Sequence, residues 1–493
     1  MKKPSKFIHS SLIYLSFILG APHWNVNGQE PFYTPDGYTI ETLATPKNMP
    51  FGITGLDISQ QNDIYVATRL GEVWILENRF AEPGKEQWRR FAEGLTEPTG
   101  LLLDDNGSIL VAHKPELTRL VDTNKDGVAD EFSNLANQWE FHDNYHEYNY
   151  GPVKDKDGSY YGVLNLGHGN PKAFSLGAMN SEGGYRGWAY KVSASGEFTP
   201  FASGFRSPAG IGMSPQNELF ITDNQGDWVP TSKLHLVEQN KFYGHPVSLR
   251  DDPRYDITSL RKMTPDDFAE FMQPPVLWIP HIEVANSPGN PEWDISQGKF
   301  GPFAGQMFIG DYTQSSLFRA IIEKVNGQYQ GAVINFMNGF QSGNIRIKFD
   351  HKGQLWVGQT SRGWGTKGEK PHGLQRVVWD GETLPFELHD IKITKHGFDL
   401  RFTEPLKSGS VQNDSLSAEQ WHYLYSSNYG SDKMDLITVK IKALQLSEDN
   451  KTLKLTMPLS AGQVVAIDFS GIESVSGRKP SVSKVYYTVN QVK

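Results

Sequence analysis

The sequence predicts an all-β protein: a six-bladed β-propeller followed by a C-terminal immunoglobulin-like β-sandwich. Three observations predict it. The 493 residues include 48 glycines and 12% aromatics distributed among many short apolar runs, the composition of a turn-rich β chain. A unit of alternating residues, a polar turn and an apolar strand ending in a small residue recurs six times, as blade meanders do. Beyond Trp379 that unit stops, yet alternating segments continue to the end of the chain.

Taken in order, residues 1–29 read as an export leader. Lys2, Lys3 and Lys6 precede a short apolar run from Leu12 to Leu19. The alternative is a single membrane anchor, but the run falls short of the ~18 residues a span needs. No other segment is long and apolar enough to cross a bilayer, so the mature chain is expected outside the cytoplasm, periplasmic or extracellular, without a transmembrane domain.

Residues 30–385 hold the repeats. The copies lie at 52–77, 99–122, 150–167 with a partner strand at 187–192, 209–238, a weaker one at 301–323, and 345–379. Asp105-Asn106-Gly107, Asp157-Gly158 and Lys352-Gly353 are their turns. The spacing is uneven, roughly 40 to 70 residues, with the long insertions placed where loops can line a central mouth. Within the insertion 252–273, Thr264 is a helix N-cap, Pro265 suits the first turn, and Asp266 and Asp267 favour its positive end; Phe268 and Phe271 would pack it. Residues 386–493 form the sandwich, with strict alternation at 452–457.

Composition also excludes. With 47 basic against 56 acidic residues the net charge is −9, and no internal basic run exists to neutralise phosphates, so nucleic acid is not an expected partner. The absence of cysteine rules out a disulfide, a thiolate metal site and covalently attached haem.

Three constellations carry chemistry. In residues 142–150, His142 and His146 stand four apart, the spacing of two metal ligands on a helix face, but Asn144, Tyr145, Tyr148, Asn149 and Gly151 argue against a helix. His146 is either a hydrogen-bonded structural residue or a general base that takes a proton from a substrate hydroxyl, its ring oriented by Glu147 or Asp143. Arg206, at the start of an inner strand, is either a salt-bridged core residue or a fixed charge at the mouth that binds a carboxylate or a developing anion. Asp223, Asn224, Asp227 and Trp228 form a polar, aromatic lining suited to sugars. In residues 122–131, Asp122, Asn124, Asp126 and Asp130 have the acidic spacing of a calcium loop around Gly127, although Ser133 stands where a bidentate Glu would be. A solvated Asp-Gly turn is the plain alternative.

These residues resemble the soluble quinoprotein glucose/sorbosone dehydrogenases. More closely they resemble a branch of large planctomycete-type bacterial proteins described as membrane-bound dehydrogenases. The resemblance covers roughly residues 38–380, and the Tyr-rich YLYSSNYGS and closing YYTVN look like the module that follows the propeller in that branch. It implies six blades binding pyrroloquinoline quinone (PQQ) and Ca2+. It implies that His146 is the catalytic base, that Arg206 matches the arginine of an Arg-Asn-Pro motif, and that Arg69 and Arg346 contact the cofactor beside the 223–246 segment. The chain departs from the pattern at Ser207 in place of Asn, Thr313 in place of a lysine, and Asn344 in place of the first arginine of an Arg-x-Arg pair. Each lost charged hydrogen bond to an anionic cofactor costs about 1.5–3 kcal/mol.

The function this implies is an exported PQQ-dependent oxidation of a sugar or alcohol, from a small sugar to a polysaccharide, with an external electron acceptor. A non-redox carbohydrate-binding or scaffold propeller with a decayed cofactor site is the alternative. A sugar lyase or hydrolase using His146 and a carboxylate is a third. All of them need His146 and Arg206 to converge at one opening.

Overall fold

Five four-stranded antiparallel sheets and the first four strands of an eight-stranded one stand around a central axis in the computed structural model, which describes residues 32–493 except 362 and 364. The leader expected at 1–29 lies outside the described residues. The innermost strands are Ile53–Ile58, Gly100–Leu103, Asn149–Lys154, Gly210–Met213, Pro288–Trp293 and Asn344–Phe349. Each packs on the next, and the sixth returns to the first, so the ring is closed. The N-terminal strand seals the seam: Tyr38–Leu43 is the outer strand of the sixth blade, pairing Tyr38 with Trp379 through Leu43 with Leu374.

The turns follow from their sequence. At Asp155 and Asp350 the carboxylate caps its own turn: Asp155 Oδ1 accepts from the amides of Asp157 and Ser159 at 2.9 and 2.8 Å, and Asp350 Oδ1 from Lys352 and Gln354 at 2.9 and 2.8 Å. Gly158 takes φ +83° to close the first of these. The helix expected in the 252–273 insertion runs Pro265–Ala269, with Thr264 and Asp267 in a capping box and Phe268 buried. A second capped turn, Ile257–Leu260, precedes it.

The fifth blade differs from the others. Its outer strand Gln328–Met337 pairs with the last strand of the chain, Lys484–Val489, which continues through Gln463–Asp468, Ser417–His422 and Met434–Thr438. One eight-stranded sheet therefore runs from the central axis into the sandwich. The facing sheet is Leu388–Thr394, Gly397–Phe402, Thr452–Thr456 and Ala443–Leu446. Between them Phe398, Leu400, Leu453, Val465 and Tyr487 share one core with Ile321, Ala332 and Ile334 of the blade. That shared apolar core is what binds the C-terminal module to the propeller.

Candidate functional site

Antiparallel order brings two sets of loops to one end of the propeller: those that precede each inner strand and those that follow each second strand. Arg69, Lys114, Asn165, Asn224 and Tyr312 come from the second set; Tyr148, Arg206 and Ser207 come from the first. This end is the mouth.

The loop carrying His146 is not helical, as its Asn and Tyr content foretold. Asn144 Oδ1 accepts from the His146 amide at 3.0 Å, and Asn144 Nδ2 donates to the His168 carbonyl at 2.9 Å. The imidazole Nδ1 lies 2.8 Å from the Leu166 carbonyl. A carbonyl only accepts, so Nδ1 carries the proton and Nε2 presents its lone pair, 3.4 Å from Ser207 Oγ. Burial, reinforced by the Arg206 charge, pushes the His146 pKa down to about 4, so the ring is neutral at ordinary pH. The ring is oriented by Leu166 rather than by Glu147 or Asp143. Glu147 instead accepts from the His142 amide at 2.6 Å and lies 3.3 Å from His142 Nδ1. The two histidines thus serve different partners.

Arg206 is joined to His146 through the backbone, because the Leu166 amide donates to the Arg206 carbonyl at 3.1 Å. Asp223 fixes the turn by accepting from the amides of Arg206 and Ser207 at 2.9 and 2.8 Å. Burial raises the Asp223 pKa; the Lys233 ammonium and those two amides oppose the shift. The Arg206 guanidinium donates from Nε to Asp227 Oδ1 at 3.1 Å. Asp227 also accepts from the Met179 amide at 2.8 Å and faces His245 Nε2 at 3.3 Å. Burial disfavours its charge, but His245 and Arg206 outweigh that and hold the carboxyl well below the usual carboxylate range. Gly226 is required here: a Cβ would collide with the Arg206 guanidinium.

On the other side of the mouth, Arg69 Nη2 donates to Tyr148 Oη at 2.5 Å and its Nε lies 3.5 Å from Glu97. Lys114 Nζ is 2.7 Å from the same Glu97 and 5.6 Å from the Tyr148 ring centre. Below them, Arg346 crosses the axis and donates to the carbonyls of Ala209 and Ile345 at 2.8 and 2.7 Å and of Thr99 at 2.5 Å. The Tyr150 ring lies 5.0 Å from its guanidinium carbon. Burial lowers the Arg346 pKa to about 10, with Tyr150 opposing. Its three acceptors come from three different blades, so Arg346 is a tie across the channel.

The structure therefore brings His146, Arg206, Asp223, Asn224 and Arg69 to one end, with Arg346 beneath. Trp228 corrects the expectation that it lines the mouth. Its φ of +60° turns the indole into a buried cluster with Phe268 and Tyr425, where Nε1 donates to the Leu176 carbonyl at 2.9 Å. Residues 122–130, read as a calcium loop, link a third to a fourth strand and so lie at the far end from the mouth. Asp122 accepts from the Gly127 amide at 2.8 Å, Asn124 from Asp126 at 2.9 Å, Asp126 from Val128 at 2.9 Å and Asp130 from Thr123 at 2.8 Å. Among the described residues no group of three His, Asp or Glu side chains is gathered for a metal. Two surface cavities of about 230 and 430 Å³ also lie at the far end, where Lys154 and Arg119 pair with Asp104 at 2.6 and 2.9 Å.

Sequence reasoning missed Asn165 and Tyr429. Oδ1 of Asn165 and of Asn224 is buried without a hydrogen-bond partner among the described residues. Tyr429 arrives from the sandwich and lies 5.4 Å from the Arg206 guanidinium carbon. The Tyr-rich YLYSSNYGS run was the visible signal, but nothing local says where it docks.

A family model described as a domain of unknown function (DUF7133) matches residues 47–272. No curated protein matches the chain. Among solved structures, it is similar to an oxidoreductase (glucose dehydrogenase) from Thermus thermophilus at 16% identity and TM-score 0.50, covering 69% of this chain and 100% of that one. A glucose dehydrogenase aligns at 14% identity and TM-score 0.50, over 69% of this chain and 99% of that one. The PQQ-bound aldose sugar dehydrogenase from Streptomyces coelicolor aligns at 13% and TM-score 0.48, over 70% of this chain and 99% of that one. At these identities what is shared with the two glucose dehydrogenases is the propeller fold. Among the described residues no helix is long and apolar enough to cross a membrane.

Proposed function

We infer that the protein is an oxidoreductase of the quinoprotein sugar dehydrogenase type, acting on a hydroxyl-bearing carbon of a sugar or related alcohol at the mouth. The observation that carries this reading is the His146 tautomer: Nδ1–H is held by Leu166, leaving Nε2 unprotonated beside Ser207 and Arg206. A neutral imidazole with a fixed acceptor nitrogen is equipped to take the proton of a hydroxyl. Export rests on the leader-like pattern of residues 1–29.

The cationic pair that fits an anionic PQQ is Arg69 and Lys114, which share one carboxylate, Glu97. The buried Oδ1 atoms of Asn165 and Asn224 are acceptors and suit the hydroxyl groups of a sugar instead. Arg69 and Lys114 would hold the PQQ carboxylates, and PQQ when bound supplies the hydride acceptor. For the chain's own part, His146 Nε2 receives the hydroxyl proton and Ser207 Oγ orients the hydroxyl. Arg206, fixed by Asp223 and Asp227, offers positive charge where negative charge builds. The loop 122–130, read as a calcium site, lies at the far end and takes no part in these steps.

A second reading, a non-redox carbohydrate-binding propeller, is favoured by specific contacts. Arg346 is bonded to three carbonyls and Arg206 to Asp227. Asn344 donates to the Ser316 carbonyl at 3.1 Å, and Thr313 donates to Ser287 Oγ at 3.2 Å, at positions where the resembled family has an arginine and a lysine. The experiment is to add PQQ to purified protein, measure its binding by absorbance, and assay dye reduction over a panel of sugars. Binding with turnover that His146→Gln abolishes supports the dehydrogenase. Sugar binding without PQQ binding or turnover leaves the second reading.

A further inference from the structure

We propose that the C-terminal module completes the mouth, and that Tyr429 and Tyr145 form an aromatic clamp for a neutral carbohydrate chain longer than one unit. This deepens the carbohydrate reading and rests on it.

The loop 423–431 is stitched to the propeller loop 224–231 by backbone pairing. The Trp228 amide donates to Ser426 at 2.9 Å, Gly430 to Gly226 at 3.0 Å and Ser431 to Pro230 at 2.8 Å, with a bridge between Asp227 and Tyr429. Tyr425 anchors the loop: its ring packs 5.2 Å from Trp228 and its hydroxyl donates to the Gly244 carbonyl. The same propeller loop carries Asp227, the carboxylate that holds Arg206. The module is thus fixed to the very segment that positions the mouth's arginine.

Tyr429 is left 60% exposed by this docking, although it is a large aromatic held on a rigid loop. Tyr145, on the His146 side, is also 60% exposed, with its ring 5.7 Å from His146 and 6.2 Å from His168. One open tyrosine therefore stands on the loop that supplies the base, and the other on the docked loop beside the arginine. Aromatic faces of this kind stack on the C–H faces of pyranose rings, while hydroxyls meet polar side chains between them. The contacts Tyr145 to His146, His146 to Ser207 and Arg206 to Tyr429 form a continuous series from one tyrosine to the other, a span that a chain of several units could follow and a single sugar could not. Because the sandwich shares its sheet with the fifth blade, the platform is held in place by the fold itself.

The test uses the full chain, with isothermal titration of glucose and xylose and of cello-, malto- and xylo-oligosaccharides of two to six units. We expect affinity in at least one series to rise tenfold or more between one and four units. Tyr429→Ala should erase that rise without changing the unfolding midpoint, Tyr429→Phe should retain it, and Tyr145→Ala should reduce it. Affinity independent of chain length, or a length dependence that survives Tyr429→Ala, would overturn the clamp while leaving monosaccharide chemistry at His146 standing. No binding of any sugar would remove the carbohydrate reading, and the clamp with it.

Discussion

The two ends of the propeller are built from the same strands yet by different means. At the far end the turns cap themselves, as Asp155 and Asp350 do with amides two and four residues away, and single bonds such as Lys154 to Asp104 join neighbouring turns. At the mouth polar groups find partners far apart in the chain, some of them in another blade. Arg346 reaches Thr99, Arg69 reaches Tyr148, and Asp227 joins Arg206, Met179 and His245. A locally closed end gives stability and little else. An end closed by long-range bonds leaves charges and lone pairs positioned relative to one another, which is the condition for chemistry.

That contrast can be broken most forcefully at His146. His146→Gln should lower turnover by about 10²–10⁴-fold, the usual contribution of a general base, with little change in sugar affinity. In the native protein the acid limb of the rate profile should fall near pH 4, where His146 is protonated, not near the ordinary histidine value of 6.5. Linkage gives the same sign for stability. The unfolded ring gains its proton around pH 6.5 while the folded ring resists until about 4, so the stabilisation present above 6.5 is lost as pH falls through that window.

Arg346→Met comes next. It leaves three carbonyls unpaired in the channel and should cost about 3–5 kcal/mol in urea unfolding, at about 1–3 kcal/mol for each buried acceptor left without a donor. Gly226→Ala is smaller, about 1–3 kcal/mol from overpacking, but it should displace Arg206 and weaken ligand binding. At the far end, Asp126→Ala should change stability by less than about 1 kcal/mol and leave the mouth's binding untouched, with added calcium making no difference to turnover. An effect of Asp126→Ala on turnover as large as that of Gly226→Ala would dissolve the distinction between the two ends.

The same division explains what could be read from the chain. Blade turns and the Thr264 cap are local patterns, and both were legible. The inner strand Pro288–Trp293 was hidden by its two prolines, which mask a strand signal, so the fifth repeat was recognised only from its second strand onward. Ser417–His422 lacks plain alternation and was missed, and the pairing of Tyr38–Leu43 with the last blade is set by closure of the ring. In the site, residue types were legible but partners were not. His146 was singled out, yet its orienting group is a backbone carbonyl twenty positions away. Trp228 was read as lining because of its polar neighbours, but one left-handed residue reverses its direction.

The central claim is that His146 presents a neutral, unprotonated Nε2 to a ligand at the mouth. Long-range 1H–15N spectra of protein labelled at histidine test it most directly. The predicted result is an Nδ1–H tautomer for His146, titration near pH 4, and an Nε2 resonance that moves when a bound sugar is added. An Nε2–H tautomer, or ordinary titration near 6.5 with no response to any sugar, would contradict it.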